Sequence, residues 1–115
     1  MKTMHKMKLK PEPFSAIKQG IKTFELRLYD EKRRAVRIGD LIEFTSTESG
    51  ETCVRRVAAL HLFASFSELY AALPLDKCGY TEENIESASP DDMNIYYSPE
   101  EQSNFGVVAI ELLEP

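Results

Sequence analysis

A chain of 115 residues has the length of one domain and leaves no room for a second hydrophobic core. Hydrophobic residues at 43% and charged residues at 29% exclude a disordered chain, and no apolar run approaches the roughly 20 residues of a membrane-spanning helix. The net charge of −5 argues against a general nucleic-acid coat, yet it is unevenly laid: residues 1–40 carry eleven Lys and Arg against five Asp and Glu, and residues 65–115 carry one against eleven. A basic N-terminal third can still hold a nucleotide or a short strand.

The start, Met1-Lys-Thr-Met-His-Lys-Met-Lys, is basic, but the apolar stretch of a secretion signal does not follow it. That points to a cytoplasmic protein whose chain starts where it is shown. Cys53 and Cys78 are too few and too far apart for a disulfide framework, so they read as two reduced thiols, at least one of them buried. They lack zinc spacing, and His5 and His61 stand alone. Neither a metal nor a cofactor is expected.

Along the chain, residues 5–10 alternate Met7 and Leu9 with Lys6, Lys8 and Lys10, the period of a half-buried strand. Pro11 and Pro13 end its ladder. Pro13 opens a short helix over 14–20, with Phe14 and Ile17 on one face and Gly20 as its stop. Residues 22–29 return to alternation, with Phe24, Leu26 and Leu28 on one side and Thr23, Glu25, Arg27 and Tyr29 on the other. A charged connection over 30–37 and a turn at Ile38-Gly-Asp40 lead to a strand over 41–45. A hairpin turn at Glu48-Ser-Gly-Glu51 leads to a long strand over 51–63, whose apolar run Arg55 and Arg56 interrupt.

Ser65 or Ser67 caps a helix that runs to Pro74. Short acidic helices over 81–87, 90–97 and 99–103 follow, with Ser89 and Ser98 as N-caps ahead of prolines. Residues 105–113 close the chain as a buried β run. The predicted order is β-α-β-β-β, a helical insertion, then β: an α+β protein built as a small mixed or closed barrel rather than a parallel sheet.

The chemistry concentrates in Gly20-Ile-Lys-Thr-Phe-Glu-Leu-Arg27, at a helix-to-strand transition. Glu25 and Arg27 share a face, their Cα atoms roughly 6.5–7 Å apart. They can pair with each other or contact neighbouring groups of one ligand. Lys22 has the opposite parity, so it joins Glu25 only where the strand entry bends or its stem curls over. The plainer alternative is a solvated strand face carrying an i, i+2 ion pair.

Gly20, Lys22, Glu25 and Arg27 match all four positions of the pattern Gly-x-Lys-x-x-Glu-x-Arg, and the segment resembles the signature of the ASCH domain family. Lys8-Leu-Lys-Pro leading to Pro13-Phe14, the turn at 38–40, the terminal strand over 106–112 and Tyr96-Tyr97-Ser98-Pro99-Glu100-Glu101 resemble that family too. The resemblance implies one ASCH domain over residues 1–115. It would be a small PUA-like β-barrel with flanking short helices, and its cleft would meet RNA or a nucleotide. Gly20, Lys22, Thr23, Glu25, Arg27 and Tyr29 are the expected ligand-binding residues. Lys22 and Arg27 suit phosphate or a base carbonyl, Glu25 an exocyclic amine, and Tyr29 or the pair Tyr96–Tyr97 a stacked base. The other reading of the two tyrosines is core packing.

The alternative function is a small hydrolase acting on RNA or a modified nucleoside, with Lys22 and Glu25 as the catalytic pair. Some ASCH proteins are similar to an N4-acetylcytidine amidohydrolase that uses a lysine, a threonine and a glutamate. Lys22 matches that lysine. The threonine falls where this chain has Glu25, with Thr23 two positions earlier, and Glu82, Glu83 and Glu86 are candidates for the glutamate. Ribonuclease activity, associated with some members of the family, is the other hydrolytic possibility.

Overall fold

The computed structural model describes residues 3–115; the beginning of the basic start, Met1 and Lys2, lies outside them. Five strands form, β1 Met4–Leu9, β2 Phe24–Leu28, β3 Leu41–Ser46, β4 Thr52–Phe63 and β5 Val107–Leu113. Among them stand four helices, α1 Pro11–Lys18, α2 Glu31–Arg34, α3 Phe66–Ala72 and α4 Pro99–Phe105. The expected α+β class and the helical insertion before the last strand are both present. No helix among the described residues is long and apolar enough to cross a membrane.

Several segments differ from their sequence reading, α1 among them, which opens at Pro11 rather than Pro13. The charged connection at 30–37 contains α2, because Asp30 caps it: its Oδ1 accepts from Arg33 N at 3.1 Å and its Oδ2 pairs with Arg33 Nη1 at 2.8 Å. In the insertion, 81–87 and 90–97 form no α-helix. They make 3₁₀ turns at Ile85–Ser87 and Pro90–Ile95, after an earlier one at Leu75–Lys77. They close with i→i+3 bonds, such as Ser87 N to Asn84 O and Tyr96 N to Met93 O, the tighter turn that short connectors use. α4 does form, from a capping box between Ser98 and Glu101, and it takes in Phe105. β5 therefore starts later than the sequence suggested.

The strands make one curled sheet in the order β1-β3-β4-β5-β2, with β1 parallel to β3 and every other pair antiparallel. A register shift between Val57 and Ala59 bends β4 where it passes from β3 to β5. The inside of the curl holds Met7, Leu9, Ile42, Phe44, Val57, Val108, Ile110 and Leu112, plugged by Phe14 and Ile17 of α1. Arg55 also faces that helix, donating to the carbonyls of Ile17 and Lys18 at its C-terminal end. That explains Arg55 in the apolar run of β4.

A second cluster lies outside the curl. Phe24, Leu26 and Leu28 of β2 and Val107 and Ala109 of β5 pack there under Phe66 and Leu69 of α3 and Met93 of the insertion. β5 is thus covered on both faces, which is why it reads as an unbroken apolar run.

β1 and β2 are the two ends of the sheet. Leu41 N donates to Thr3 O and Thr47 N to Leu9 O, so the odd residues of β1 bond to β3 and Lys8 presents its carbonyl to the free edge. No ladder joins β1 to β2. A side chain spans the seam instead: Arg27 Nη2 of β2 donates to Lys8 O at 3.0 Å. The barrel is closed there by a guanidinium.

Candidate functional site

The seam opens into a cleft of about 580 Å³, floored by Lys22, Glu25 and Arg27. β1 and α1 form one wall, with Lys8, Lys10 and Glu12. The insertion forms the other, with Tyr70, Cys78, Tyr80, Asp92, Tyr96 and Tyr97 among its residues.

The parity obstacle at Lys22 disappears because β2 begins only at Phe24. Gly20, at φ 78°, turns the chain out of α1, and the amides of Ile21 and Lys22 both bond to Ala16 O. Freed from strand geometry, Lys22 reaches inward and lies along Gly79, where a Cβ would stand 3.5 Å from its stem. Thr23 N, bonded to Lys77 O, fastens the same loop over it.

Three charges meet at the floor. Lys22 Nζ donates to Glu25 Oε1 at 2.8 Å and Arg27 Nε donates to Glu25 Oε2 at 2.7 Å. Glu25 is 3% exposed and Lys22 8%, so this is a buried ionic triad and not the solvated pair of the plainer reading. Burial alone would push the Glu25 carboxyl up; the charges and hydrogen bonds of Lys22 and Arg27 outweigh it and hold the group below its ordinary value. The same burial opposes the Arg27 cation, and Glu25 outweighs it there too.

Both carboxylate oxygens already have a donor, whereas Lys22 has given only one of its three protons to Glu25. Two cations against one anion leave the floor one positive charge in excess. It offers N–H donors toward the cleft.

The structure brings Lys22, Glu25 and Arg27 together on the cleft lining. Gly20, Thr23 and Tyr29 are not part of it. Gly20 shapes the turn. Thr23 N and O are bonded to Lys77 O and Leu112 N. Tyr29 packs against the inner core with the Arg34 guanidinium 4.4 Å over its ring.

The tyrosine pair divides. Tyr97 stacks on Phe66, ring centroids 6.3 Å apart, while Tyr96 is 53% exposed at the rim. Of the acidic insertion, Glu82, Glu83 and Glu86 are exposed and off the lining.

Asp92 lines the cleft instead. The Tyr80 hydroxyl lies 2.7 Å from the hydroxyl of Tyr70 and donates to Asp92 Oδ2 at 2.7 Å. Sequence reasoning reached Tyr96 and Tyr97 of this wall and missed Tyr70, Tyr80 and Asp92. The one legible trace of those three was Asp92 three residues after Ser89, a capping-box spacing that accounts for Asp92 by helix geometry alone.

Cys53 and Cys78 are both free, and Cys78 is buried. Burial pushes its thiol up to about 11 despite the pull of Lys22. Among the described residues no three His, Cys, Asp or Glu gather as metal ligands. His5 pairs with Asp40 and His61 with Glu111, each at 2.8 Å.

A curled five-stranded sheet with short flanking helices is the PUA-like form of an α+β protein. The chain belongs to the ASCH domain family, whose profile matches residues 7–115. Among solved structures it is similar to hypothetical protein PH0355, at 33% identity and a TM-score of 0.78, over 98% of this chain and 99% of that one. Protein PF0455 from Pyrococcus furiosus is 35% identical, with a TM-score of 0.69 over 98% and 97% of the two chains. The fold also matches an ASCH protein from Zymomonas mobilis, at 18% identity and a TM-score of 0.66, over 97% of this chain and 68% of that one. Among curated proteins none matches the chain.

Proposed function

We propose that residues 1–115 act as one ASCH domain that binds RNA or a nucleotide in the seam cleft, with Lys22 and Arg27 as the anion-facing residues. The observation that carries this reading is the buried triad at the cleft floor, with its surplus positive charge and unused Lys22 donors. A phosphate or a base carbonyl suits such a floor, because charge-assisted bonds from Lys and Arg are strongest where water is excluded. The aromatic and acidic wall opposite suits a base, since Tyr96 offers a ring face and Asp92 an acceptor for an amine. Gly20 and Thr23 serve by shaping the approach of Lys22, and Tyr29 by supporting β2 from within. Two free cysteines fit a reducing, cytoplasmic setting.

The alternative of a hydrolase with Lys22 and Glu25 as its catalytic pair has less support. A general base works best with a pKa near the working pH, and although burial pushes the Glu25 carboxyl up, Lys22 and Arg27 hold it below its ordinary value. The amidohydrolase threonine is replaced by this same Glu25, and Thr23 is off the lining.

Calorimetric titration of cytidine monophosphate and of a short single-stranded RNA at low salt tests the proposal. Lys22→Ala is expected to weaken both by roughly tenfold or more, the effect of losing one charge-assisted contact. Equal affinity in the variant would remove the floor from the site. Cleavage or deacetylation products seen by mass spectrometry, and lost with Lys22→Ala, would move the protein to the hydrolase class.

A further inference from the structure

Lys6, Lys8 and Lys10 form an exposed row along β1, on the face opposite to buried Met7 and Leu9. Lys10 continues the row because its backbone stays extended as α1 begins. Lys8 and Lys10 line the seam cleft and Lys6 lies beyond it, so the row runs from the cleft out onto the open surface. Alternate residues of a strand are roughly 6.5–7 Å apart, a step comparable to that between successive phosphates of an extended single strand.

The rim beside the row is apolar and exposed. Ile95 is 77% and Tyr96 53% accessible, whereas Tyr97 next to them is half-buried against the outer cluster. Lys10 Nζ stands 5.5 Å over the Tyr96 ring, which joins aromatic rim and lysine row at one point. Carboxylates are sparse but present: Glu43 is in register beside Lys6, and Glu12 lies on the cleft wall near Lys10.

We propose that the occupant of the cleft is a single-stranded RNA segment longer than one nucleotide, its backbone leaving along Lys10, Lys8 and Lys6 and a base at the exit resting against Tyr96. This rests on the binding reading given above and adds the class and path of the ligand. A basic track with an aromatic platform is what a single strand needs, since phosphates take the cations and any base has a face to stack. A free nucleotide would be held within the cleft and leave the outer part of the row, Lys6 above all, without a part. Lysines on an edge strand also hinder edge-to-edge pairing of sheets, and the experiment separates that role from RNA contact.

The affinities of cytidine monophosphate and of a short single-stranded oligoribonucleotide are measured across a salt series, for the native chain, for K6Q and for K6Q/K8Q/K10Q. The oligonucleotide is expected to bind roughly tenfold tighter than the mononucleotide or better. Its log–log salt slope should fall by about 0.7 for each lysine engaged, hence by about 2 in the triple variant, and least for Lys6 beside Glu43. K6Q should leave mononucleotide affinity unchanged. A mononucleotide that binds as tightly as the oligonucleotide would overturn the path while leaving the binding reading intact. So would an unchanged slope in the triple variant, including the case where that variant only self-associates. If neither ligand binds the native chain, the binding reading fails and takes this one with it.

Discussion

At the scale of single residues, Glu25 is the keystone of the cleft floor, because two buried cations depend on it. Glu25→Gln keeps the shape and removes the charge, leaving Lys22 and Arg27 without an anion in a site where Glu25 itself is 3% exposed. Breaking a buried ion pair from one side costs about 3–5 kcal/mol. Urea denaturation should show a loss of that order, and a loss under about 1 kcal/mol would mean that water already screens the triad. Gly20, Lys22, Glu25 and Arg27 were legible because all four fit one short pattern. Tyr70, Tyr80 and Asp92 were not, since three residues spread across the insertion carry no spacing that announces a shared wall.

At the scale of elements, β2 shows how an alternating pattern misleads inside a barrel. Alternation separates its apolar face from its polar one, and leaves open whether the polar one meets a ligand or bulk solvent. In the fold both faces are covered: Phe24, Leu26 and Leu28 by α3 and the insertion, Glu25 and Arg27 by the mouth of the curl. Periodicity reports two different faces and not which of them meets water.

β5 depends on one glycine. Gly106 sits at φ 71°, ψ −175°, a region nearly confined to glycine, and a Cβ there would stand 3.1 Å from Phe63 O. Its carbonyl also accepts Tyr29 N at the head of the β2–β5 pair. Gly106→Ala is expected to cost about 1–3 kcal/mol, read as a lower urea midpoint, and a neutral result would show that the turn can be rebuilt around an L-residue. The helix α2 was not legible, because it is only four residues long and gave no period to find.

At the scale of the whole molecule, acid is expected to act first at two buried carboxylates. Glu25 lies below its ordinary value because its two cations outweigh the burial that opposes them. Asp40 lies below its own through the hydrogen bond from His5, against burial, with a further bond from Arg37 N. A carboxyl depressed in the fold binds its proton more readily once unfolded. Its stabilisation is therefore complete above the unfolded values of about 4.3 for Glu and 3.9 for Asp, and drains away as pH falls through the lower folded ones. Urea midpoints should stay level down to about pH 5 and decline steeply below about pH 4. In Glu25→Gln the decline should be shallower, because that variant already lacks the titrating group. A native midpoint that held to about pH 2 would contradict the assignment.

The amino-acid sequence determined the class, the order of the strands, and the segment 20–27 in which the three cleft-floor residues lie, because these depend on local pattern and on one compact motif. The tertiary structure alone decided that the sheet stops short of closing and that Arg27 bridges its seam. It decided that Lys22 turns inward past Gly79 and that the acidic insertion supplies Asp92 rather than Glu82, Glu83 or Glu86. Each of these is a meeting of residues distant along the chain. Where a curled sheet brings its two ends together depends on twist, bulge and packing summed over every strand, and no single stretch of sequence carries that sum.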